Sequence, residues 1–201
     1  MVIVDSGGAN LASLRFALAR LGAASIVSAD ANVIAAAPHV LLPGVGAAGA
    51  AMTRLRAAGL IDSIRGLRQP LLAICLGMQL LYAHSEEDDT RGLGVFTGSV
   101  RQLKAVPGRP VPHMGWNTCR PLRPDPLLTG IEAGEYFYFV HSYAAAISEY
   151  TTAACEYGPE LSAVVRRNNF HGVQFHPERS GAAGARLLRN FLALDAADTR
   201  H

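Results

Sequence analysis

The chain has 201 residues, of which 50% are hydrophobic and 17% are charged. That length corresponds to one domain or at most two small ones, and the composition excludes intrinsic disorder, which requires low hydrophobicity together with a high net charge. The formal net charge is only +2, and the sequence contains no block of like basic residues. We therefore expect no nucleic-acid partner.

No segment has the features of a membrane span or a secretory signal. The longest apolar run, residues 70–83, has 14 residues, whereas a spanning helix needs about 20. The N-terminus lacks the basic and apolar regions of a signal peptide. Cys75, Cys119 and Cys155 are too far apart for a disulfide framework or a paired zinc motif. We therefore expect a cytoplasmic protein with reduced thiols, no membrane contact and no bound metal.

The first half of the chain alternates short apolar strands with helices. Strands are predicted at residues 2–5, 24–28, 39–42 and 71–74, and helices at 11–21, 30–37, 48–58 and 76–82. Asn10 is the predicted N-cap of the first helix, and Gly22 stands where a glycine commonly ends a helix. This alternation predicts βαβ units around a largely parallel sheet.

The second half changes character after an acidic segment at 86–89, which we interpret as a solvated turn. Five strands separated by Pro and Gly turns are predicted at 95–103, 136–143, 151–157, 161–167 and 172–175. The last predicted helix, 182–194, places four apolar residues on one face: Leu187, Leu188, Phe191 and Leu194. The sequence therefore predicts one three-layer α/β/α domain over residues 1–201, with a mostly parallel central sheet and an antiparallel extension.

A predicted strand runs directly into Cys75, and a predicted helix follows it at once. This pattern is the thiol counterpart of the serine elbow, in which the residues two positions away must be small, as Ala73 and Gly77 are. The helix N-terminus favours a thiolate at Cys75, and the amide of Leu76 can donate to an oxyanion. A buried structural cysteine at a strand end has the same pattern.

A candidate base stands near the C-terminus, where a strand delivers His176 to its end and Glu178 follows two residues later. The imidazole can take the thiol proton, and the carboxylate can orient the imidazole. Two alternatives remain open. His176 could be a core histidine with Glu178 a surface carboxylate, or His171 and His176 could bind a metal, although no third ligand is placed near them.

The segment Pro-Gly-Val-Gly at 43–46 follows the third predicted strand. Ligands of parallel sheets bind beyond the carboxyl ends of the strands, and glycines allow backbone orientations that are closed to other residues. A peptide flip here could aim an amide at an oxyanion. An ordinary strand-to-helix turn has the same residues, and no Gly-Lys-Ser/Thr follows to make a phosphate loop.

Together and in this order, the three segments resemble the class I (triad) glutamine amidotransferases. The matching residues are Pro-Gly-Val-Gly at 43–46, Ile-Cys-Leu-Gly-Met-Gln at 74–79 and Gln-Phe-His-Pro-Glu at 174–178. The resemblance implies a flavodoxin-like three-layer fold, hydrolysis of L-glutamine to glutamate and ammonia, and no cofactor.

The resemblance also implies a role for each site residue. Cys75 would attack the glutamine carboxamide, His176 would pass the thiol proton to the leaving ammonia, and Glu178 would orient His176. Three backbone amides would form the oxyanion hole, those of Val45, Gly46 and Leu76. Four residues would hold the glutamine, partly through backbone groups: Gly44, Gln79, Ser142 and Tyr143.

Two further segments narrow the resemblance. Pro-His-Met-Gly-Trp-Asn at 112–117 and Tyr-Phe-Val-His-Ser-Tyr at 138–143 look like the glutaminase subunits of imidazole glycerol phosphate synthases, which act in histidine biosynthesis. The opening Asp-Ser-Gly-Gly-Ala-Asn-Leu at 5–11 fits the same family. This narrower resemblance implies a heterodimer with a (β/α)8-barrel cyclase subunit, which receives the ammonia.

The narrower resemblance also implies a partner surface. Its residues would be Asn10, Met114, Trp116, Asn117, either Tyr136 or Tyr138, and Arg179. Trp and Met are enriched in the cores of interfaces, which supports the choice of Met114 and Trp116. Alternatively, Trp116 fills the core of this protein.

The sequence departs from the family pattern at three places. Ala73 stands where the superfamily usually has Gly, Arg179 stands where the subfamily often has Lys, and Ser-Gly-Gly at 6–8 replaces a commoner aromatic-Gly start. Two other functions remain open. One is a glutaminase that serves another acceptor, such as pyridoxal phosphate synthase, or that works alone as a γ-glutamyl hydrolase. The other is a catalytically inactive structural subunit.

Overall fold

The computed structural model describes residues 1–6 and 11–195. Six helices lie in these ranges: α1 (Leu11–Arg20), α2 (Ala31–Ala36), α3 (Ala48–Ala57), α4 (Leu60–Arg65), α5 (Leu76–Leu80) and α6 (Gly181–Ala193). The same ranges contain fourteen strands: β1 (Val2–Val4), β2 (Ile26–Ser28), β3 (Val40–Gly44), β4 (Leu71–Cys75), β5 (Tyr82–Ser85), β6 (Thr90–Arg91), β7 (Phe96–Gln102), β8 (His113–Thr118), β9 (Arg120–Pro121), β10 (Tyr136–His141), β11 (Tyr143–Ala145), β12 (Thr151–Glu156), β13 (Glu160–Arg167) and β14 (Phe170–Val173). Asn10, the predicted helix cap and interface residue, lies outside the described residues.

Within the described ranges, eight strands form the central sheet, in the order β2-β1-β3-β4-β14-β13-β12-β9. The strands from β2 to β14 pair in parallel, and β13, β12 and β9 extend the sheet with antiparallel pairs. A parallel sheet is covered on both faces, which explains why β1, β3 and β4 consist entirely of buried residues. The predicted mostly parallel sheet with an antiparallel extension is confirmed.

Two layers cover the central sheet. On one face, α1 and α6 pack with a two-stranded sheet of β8 and β10, and Leu18, Phe139 and Leu187 belong to the resulting core. On the other face, α2 to α5 pack with a four-stranded sheet in the order β11-β7-β5-β6, and this core includes Met52 and Phe96. In the part of the chain that the structure describes, no helix combines the length and the apolar character needed to cross a membrane.

The backbone geometry agrees with the predicted end of the first helix. Gly22 has a φ of +75°, and the amides of Gly22 and Ala23 donate to the carbonyls of Ala19 and Leu18 at 2.9 and 3.0 Å. This pair of bonds satisfies the last carbonyls of α1 and requires a left-handed residue after it. Gly22 is therefore the residue that ends the helix.

Several predicted segments differ from the structure. The strand predicted over 136–143 is divided at Ser142, because β10 pairs with β8 whereas β11 pairs with β7 in another sheet. The helix predicted over 76–82 ends at Leu80, and β5 begins two residues later. The short α4 and the strands β5, β6, β8 and β9 have no counterpart in the sequence prediction.

The acidic segment is only partly the solvated turn that the sequence predicts. Asp88 and Asp89 are exposed. The carboxylate of Glu87 instead accepts the Ala48 amide at 2.7 Å, at the start of α3. Burial raises the pKa of Glu87. One acidic residue of this segment therefore caps a helix.

The start of α5 lies against the end of β3 with no room for a side chain. A carbon attached to Gly77 would lie 1.9 Å from the carbonyl oxygen of Leu42, and one attached to Gly44 would lie 2.6 Å from the amide nitrogen of Gly77. Both distances are far inside van der Waals contact, so only glycine fits at these two positions. The close approach sets Gly44 beside Cys75 in the paired strands.

We expect Gly77→Ala to lower the free energy of unfolding by about 3 kcal/mol, because a backbone oxygen cannot move away as a flexible side chain can. Urea unfolding measures the change. Gly66→Ala is the matched control, since Gly66 follows α4 with a φ of −82° and its nearest new contact would be 3.3 Å away. Equal losses in the two variants would contradict the packing argument.

Candidate active site

Cys75 lies at the junction of β4 and α5, with a φ of 54° and a ψ of −115°. A residue with a side chain in this conformation is strained by about 1–3 kcal/mol, and such strain is often found at functional sites. The residue is 8% exposed, and it lines a cavity. The backbone therefore has the geometry predicted for a nucleophile elbow.

His176 and Glu178 follow β14, which is the neighbour of β4 in the central sheet. The His176 Nδ1 donates to the Glu178 Oε1 at 2.9 Å, and the two side chains are 10% and 9% exposed. The other ring nitrogen, Nε2, is buried and makes no hydrogen bond within the described residues. The structure thus brings together the predicted nucleophile, base and orienting carboxylate.

The protonation of His176 follows from its neighbours. Burial lowers the pKa of His176, but the adjacent Cys75 sulfur and the Glu178 carboxylate raise it by more, to about 10. The imidazole therefore holds a proton at neutral pH.

The Cys75 sulfur has two further polar neighbours. It lies 3.7 Å from the carbonyl oxygen of Val140 and 3.8 Å from the Nε2 of Gln174. Gln174 is fully buried, and its Oε1 accepts the Gln79 Nε2 at 3.0 Å. Gln174 has no role predicted from the sequence. The signal that could have found it is a polar amide inside the apolar run that precedes His176.

A cavity of about 430 Å³ opens beside Cys75. Ten other predicted site residues also line it: Gly44, Val45, Gly46, Leu76, Gln79, Ser142, Tyr143, His176, Glu178 and Arg179. Sites for small molecules commonly have about 300–1,000 Å³. The cavity is therefore large enough for an amino acid, and the predicted catalytic and ligand-binding residues share its wall.

The residues predicted to bind glutamine are tied to one another. The Gln79 Nε2 donates to the Tyr143 carbonyl at 2.8 Å as well as to Gln174, so both amide hydrogens of Gln79 are used within the protein. Ser142 stands between β10 and β11. The chain passes from one sheet to another at this residue. Both Ser142 and Tyr143 line the cavity.

The predicted oxyanion residues lie on two sides of Cys75. Leu76 is the first residue of α5, where backbone amides have no acceptor within the helix. Val45 and Gly46 follow β3, and Gly46 has a φ of +85°, which is open to glycine at little cost.

The outer face of the two-stranded sheet carries three of the predicted interface residues. Met114 and Trp116 on β8 are 66% and 56% exposed, and Tyr138 on β10 is paired with Trp116. The guanidinium of Arg179 lies 5.0 Å from the centre of the Tyr138 ring. Asn117 instead points inward, where its Nδ2 donates to the Glu156 carbonyl at 2.8 Å. Trp116 is therefore a surface residue, and the alternative that it fills the core is wrong.

The other histidine and cysteine residues considered in the sequence, His171, Cys119 and Cys155, do not line the cavity. His171 is completely buried on β14, and burial lowers its pKa to about 4. Cys119 and Cys155 are free and buried, and burial raises the pKa of Cys155 to about 12. Residues 1–6 and 11–195 contain no group of three His, Cys, Asp or Glu side chains that could hold a metal ion.

Comparisons with known proteins show the family to which the chain belongs. The family description "Glutamine amidotransferase class-I" matches residues 2–194. The imidazole glycerol phosphate synthase subunit HisH of Xylella fastidiosa is 50% identical over 197 residues, with 98% of each chain covered. The subunit of the same name from Xanthomonas campestris pv. campestris is 51% identical over 194 residues, with 96% of this chain and 97% of that one covered. A solved glutamine amidotransferase shares the fold with a TM-score of 0.73 and 22% identity, covering 95% of this chain and 96% of that one.

We expect Glu178→Gln to lower the pKa of His176 below its value of about 10, because the amide can still accept from Nδ1 but no longer carries a negative charge. Titration of the imidazole signals by NMR measures the shift. Glu87→Gln, which changes another carboxylate at the cavity wall, is the control and should leave the pKa of His176 unchanged. An unchanged pKa in Glu178→Gln would mean that Cys75 alone holds the proton on His176.

Proposed function

Because the chain belongs to the class-I glutamine amidotransferases, and within them to the HisH subunits of imidazole glycerol phosphate synthase, we propose that its triad hydrolyses L-glutamine for that synthase. The observation that carries the proposal is the cavity where Cys75 meets the buried ion pair of His176 and Glu178, joined at 2.9 Å. We propose that residues 1–201 form a single amidotransferase domain.

The reaction proceeds in two steps. The Cys75 thiolate attacks the carboxamide carbon of glutamine, and a carbon–sulfur bond forms. His176 gives its proton to the amide nitrogen, the carbon–nitrogen bond breaks, and ammonia leaves a thioester on Cys75. Water then gives a proton to His176 and attacks the thioester. The carbon–sulfur bond breaks, the new carboxylic acid releases its proton to the solvent, and glutamate and the original thiolate–imidazolium pair result.

The surrounding backbone stabilises the charge that develops on the substrate oxygen. The amide of Leu76 and the amides of the Val45–Gly46 turn donate to this oxyanion, and preorganised donors of this kind are worth about 3–4 kcal/mol each. Gly44, Gln79, Ser142 and Tyr143 hold the amino-acid part of glutamine. Because the Gln79 nitrogen is engaged within the protein, its Oε1 is the atom that contacts the ligand.

The ammonia passes to a partner subunit, a (β/α)8-barrel cyclase that uses it to form imidazole glycerol phosphate from a nucleotide. The partner binds the outer face of β8 and β10, around Met114, Trp116 and Tyr138. This face is supported as the docking surface because it exposes large aromatic and apolar side chains, among them Met114, Trp116 and Tyr136, and such residues are enriched in interface cores.

The turn at 43–46 regulates the site. Gly46 has a positive φ, and glycines allow the peptide to flip between two orientations. In one of them the amide points to the oxyanion, so the partner can switch the glutaminase on by selecting that orientation.

We expect Cys75→Ala to lower glutamine-dependent synthesis by the assembled enzyme about a thousandfold or more, because no other group can form the thioester. Synthesis driven by added ammonium should be unchanged, since the partner then takes ammonia from solution. Both rates are measured on the same preparation of the complex.

Cys155→Ala is the matched control, because Cys155 is a buried thiol outside the cavity. It should keep both activities. If Cys75→Ala lost the ammonium-driven reaction in addition to the glutamine-dependent one, Cys75 would be a structural residue. If the wild-type complex showed no glutamine-dependent synthesis, the chain would be an inactive subunit.

We expect the isolated chain to hydrolyse glutamine slowly, and the complex with nucleotide-loaded cyclase to be faster by about a hundredfold. Measurement of glutamate production by the chain, by the complex and by the loaded complex tests this. Equal rates for the isolated chain and the loaded complex would contradict regulation by the turn. If the chain co-purifies with a pyridoxal phosphate synthase subunit instead, the assignment to this synthase is wrong.

A further inference from the structure

An unbroken series of hydrogen bonds connects the inner side of β8 with the sulfur of Cys75. It begins at Asn117, whose Nδ2 lies 3.3 Å from the His113 Nε2. The His113 Nδ1 lies 3.0 Å from the His141 Nε2, and the His141 Nδ1 lies 2.8 Å from the Tyr143 carbonyl oxygen. We call this part, from Asn117 to the Tyr143 carbonyl, the histidine relay.

The relay continues without a gap into the catalytic cavity. The Tyr143 carbonyl also accepts the Gln79 Nε2 at 2.8 Å, the Gln79 Nε2 donates to the Gln174 Oε1 at 3.0 Å, and the Gln174 Nε2 donates to the Cys75 sulfur at 3.8 Å. Asn117 and Cys75 are therefore linked through side chains and a single backbone carbonyl. None of the described catalytic roles uses His113 or His141.

The direction of each bond follows from the two ends of the relay. The Tyr143 carbonyl can only accept, so the His141 Nδ1 must carry a hydrogen and a neutral His141 must accept at Nε2. The His113 Nδ1 then donates, and the His113 Nε2 accepts from the Asn117 amide. Every link has one donor and one acceptor only when both rings are neutral.

Burial keeps the two rings in that state. Burial lowers the pKa of His113 and of His141 to about 4 in each case. His113 is also clamped between two rings, with centroid distances of 3.9 Å to Tyr157 and 4.8 Å to Phe139. The relay is therefore a rigid arrangement with one set of hydrogen positions at neutral pH.

The outer end of the relay lies directly behind the exposed face of β8. His113 and Asn117 are on the same strand as Met114 and Trp116, and residues that alternate along a strand point to opposite faces. Any partner that moves the outer face of β8 therefore moves the donors and acceptors on its inner face. A buried donor or acceptor that loses its partner costs about 1–3 kcal/mol. A displacement of His113 or Asn117 therefore shifts the residues that are hydrogen-bonded to them.

We propose that His113 and His141 are positioning residues that transmit contact on β8 to Tyr143, Gln79 and the Gln174–Cys75 pair, and so couple partner docking to glutamine hydrolysis. This inference rests on the proposed function and adds a route for its regulation. The series of bonds ends at Gln79, Gln174 and Cys75 and does not include the turn at 43–46, so it can be tested independently of the peptide flip.

The test measures the stimulation ratio, which is the glutaminase kcat/KM of the loaded complex divided by that of the isolated chain. His113→Phe keeps a ring for stacking and removes both hydrogen bonds. His141→Asn retains a donor near the position of Nδ1 for the Tyr143 carbonyl and removes the link to His113. We expect each variant to lower the stimulation ratio about tenfold.

The double variant decides between a relay and two local effects. Because both substitutions interrupt one series of bonds, the double variant should lose no more stimulation than either single variant. Tyr157→Phe is the matched control. It keeps the ring that stacks on His113 and removes only the hydroxyl that donates to the Pro110 carbonyl at 2.6 Å, so its ratio should equal that of the wild type.

Other outcomes overturn the proposal. A wild-type ratio in His141→Asn, or losses that multiply in the double variant, would show that the relay does not couple the two sites. Loss of partner affinity that accounts for the whole change would show that His113 only supports the docking face. A wild-type complex without glutaminase activity would instead contradict the proposed function itself, so the two failures are distinguishable.

Discussion

The active site depends on the contact between the backbone of β3 and the first turn of α5. At Gly77 a side chain would meet the Leu42 carbonyl oxygen at 1.9 Å, so the two segments approach as closely as backbone atoms allow. This approach leaves Cys75 with a positive φ between a strand and a helix. The two cores that pack against both sides of the sheet hold Cys75 in this strained conformation. In this conformation Cys75 lines the cavity.

The order of the strands explains why residues far apart in sequence meet around that sulfur. β3, β4 and β14 are adjacent and parallel, so their carboxyl ends lie at one edge of the sheet. The segment 43–46 overlaps the end of β3, Cys75 is the last residue of β4, and His176 follows β14. Ligands of parallel sheets bind at this edge. The antiparallel extension lies beyond β14, so it widens the sheet without covering the edge.

The features that are predictable from the sequence are those whose chemistry is local. The strand–Cys75–helix pattern and the spacing of His176 and Glu178 can be read from neighbouring residues, and the alternation of strands and helices predicted the parallel sheet. Gln174 was missed because its partners, Cys75 and Gln79, are about 100 residues away. The division at Ser142 was missed because the apolar pattern continues through it, while the sheets that pair with each half do not.

The histidines around the cavity show how neighbours decide the role of one residue type. Burial alone would make every one of them neutral, as His113 and His141 are with pKa values of about 4. All ring nitrogens of His113 and His141 are hydrogen-bonded, so a proton transfer at either ring would break a buried hydrogen bond at a cost in free energy. These rings are therefore suited to a structural role. His176 is equally enclosed, yet an adjacent sulfur and carboxylate raise its pKa to about 10, and its Nε2 is unpaired in the described residues. A charged ring beside the sulfur of the nucleophile is suited to deliver a proton. The same protein therefore uses buried histidines both as fixed links and as its acid and base.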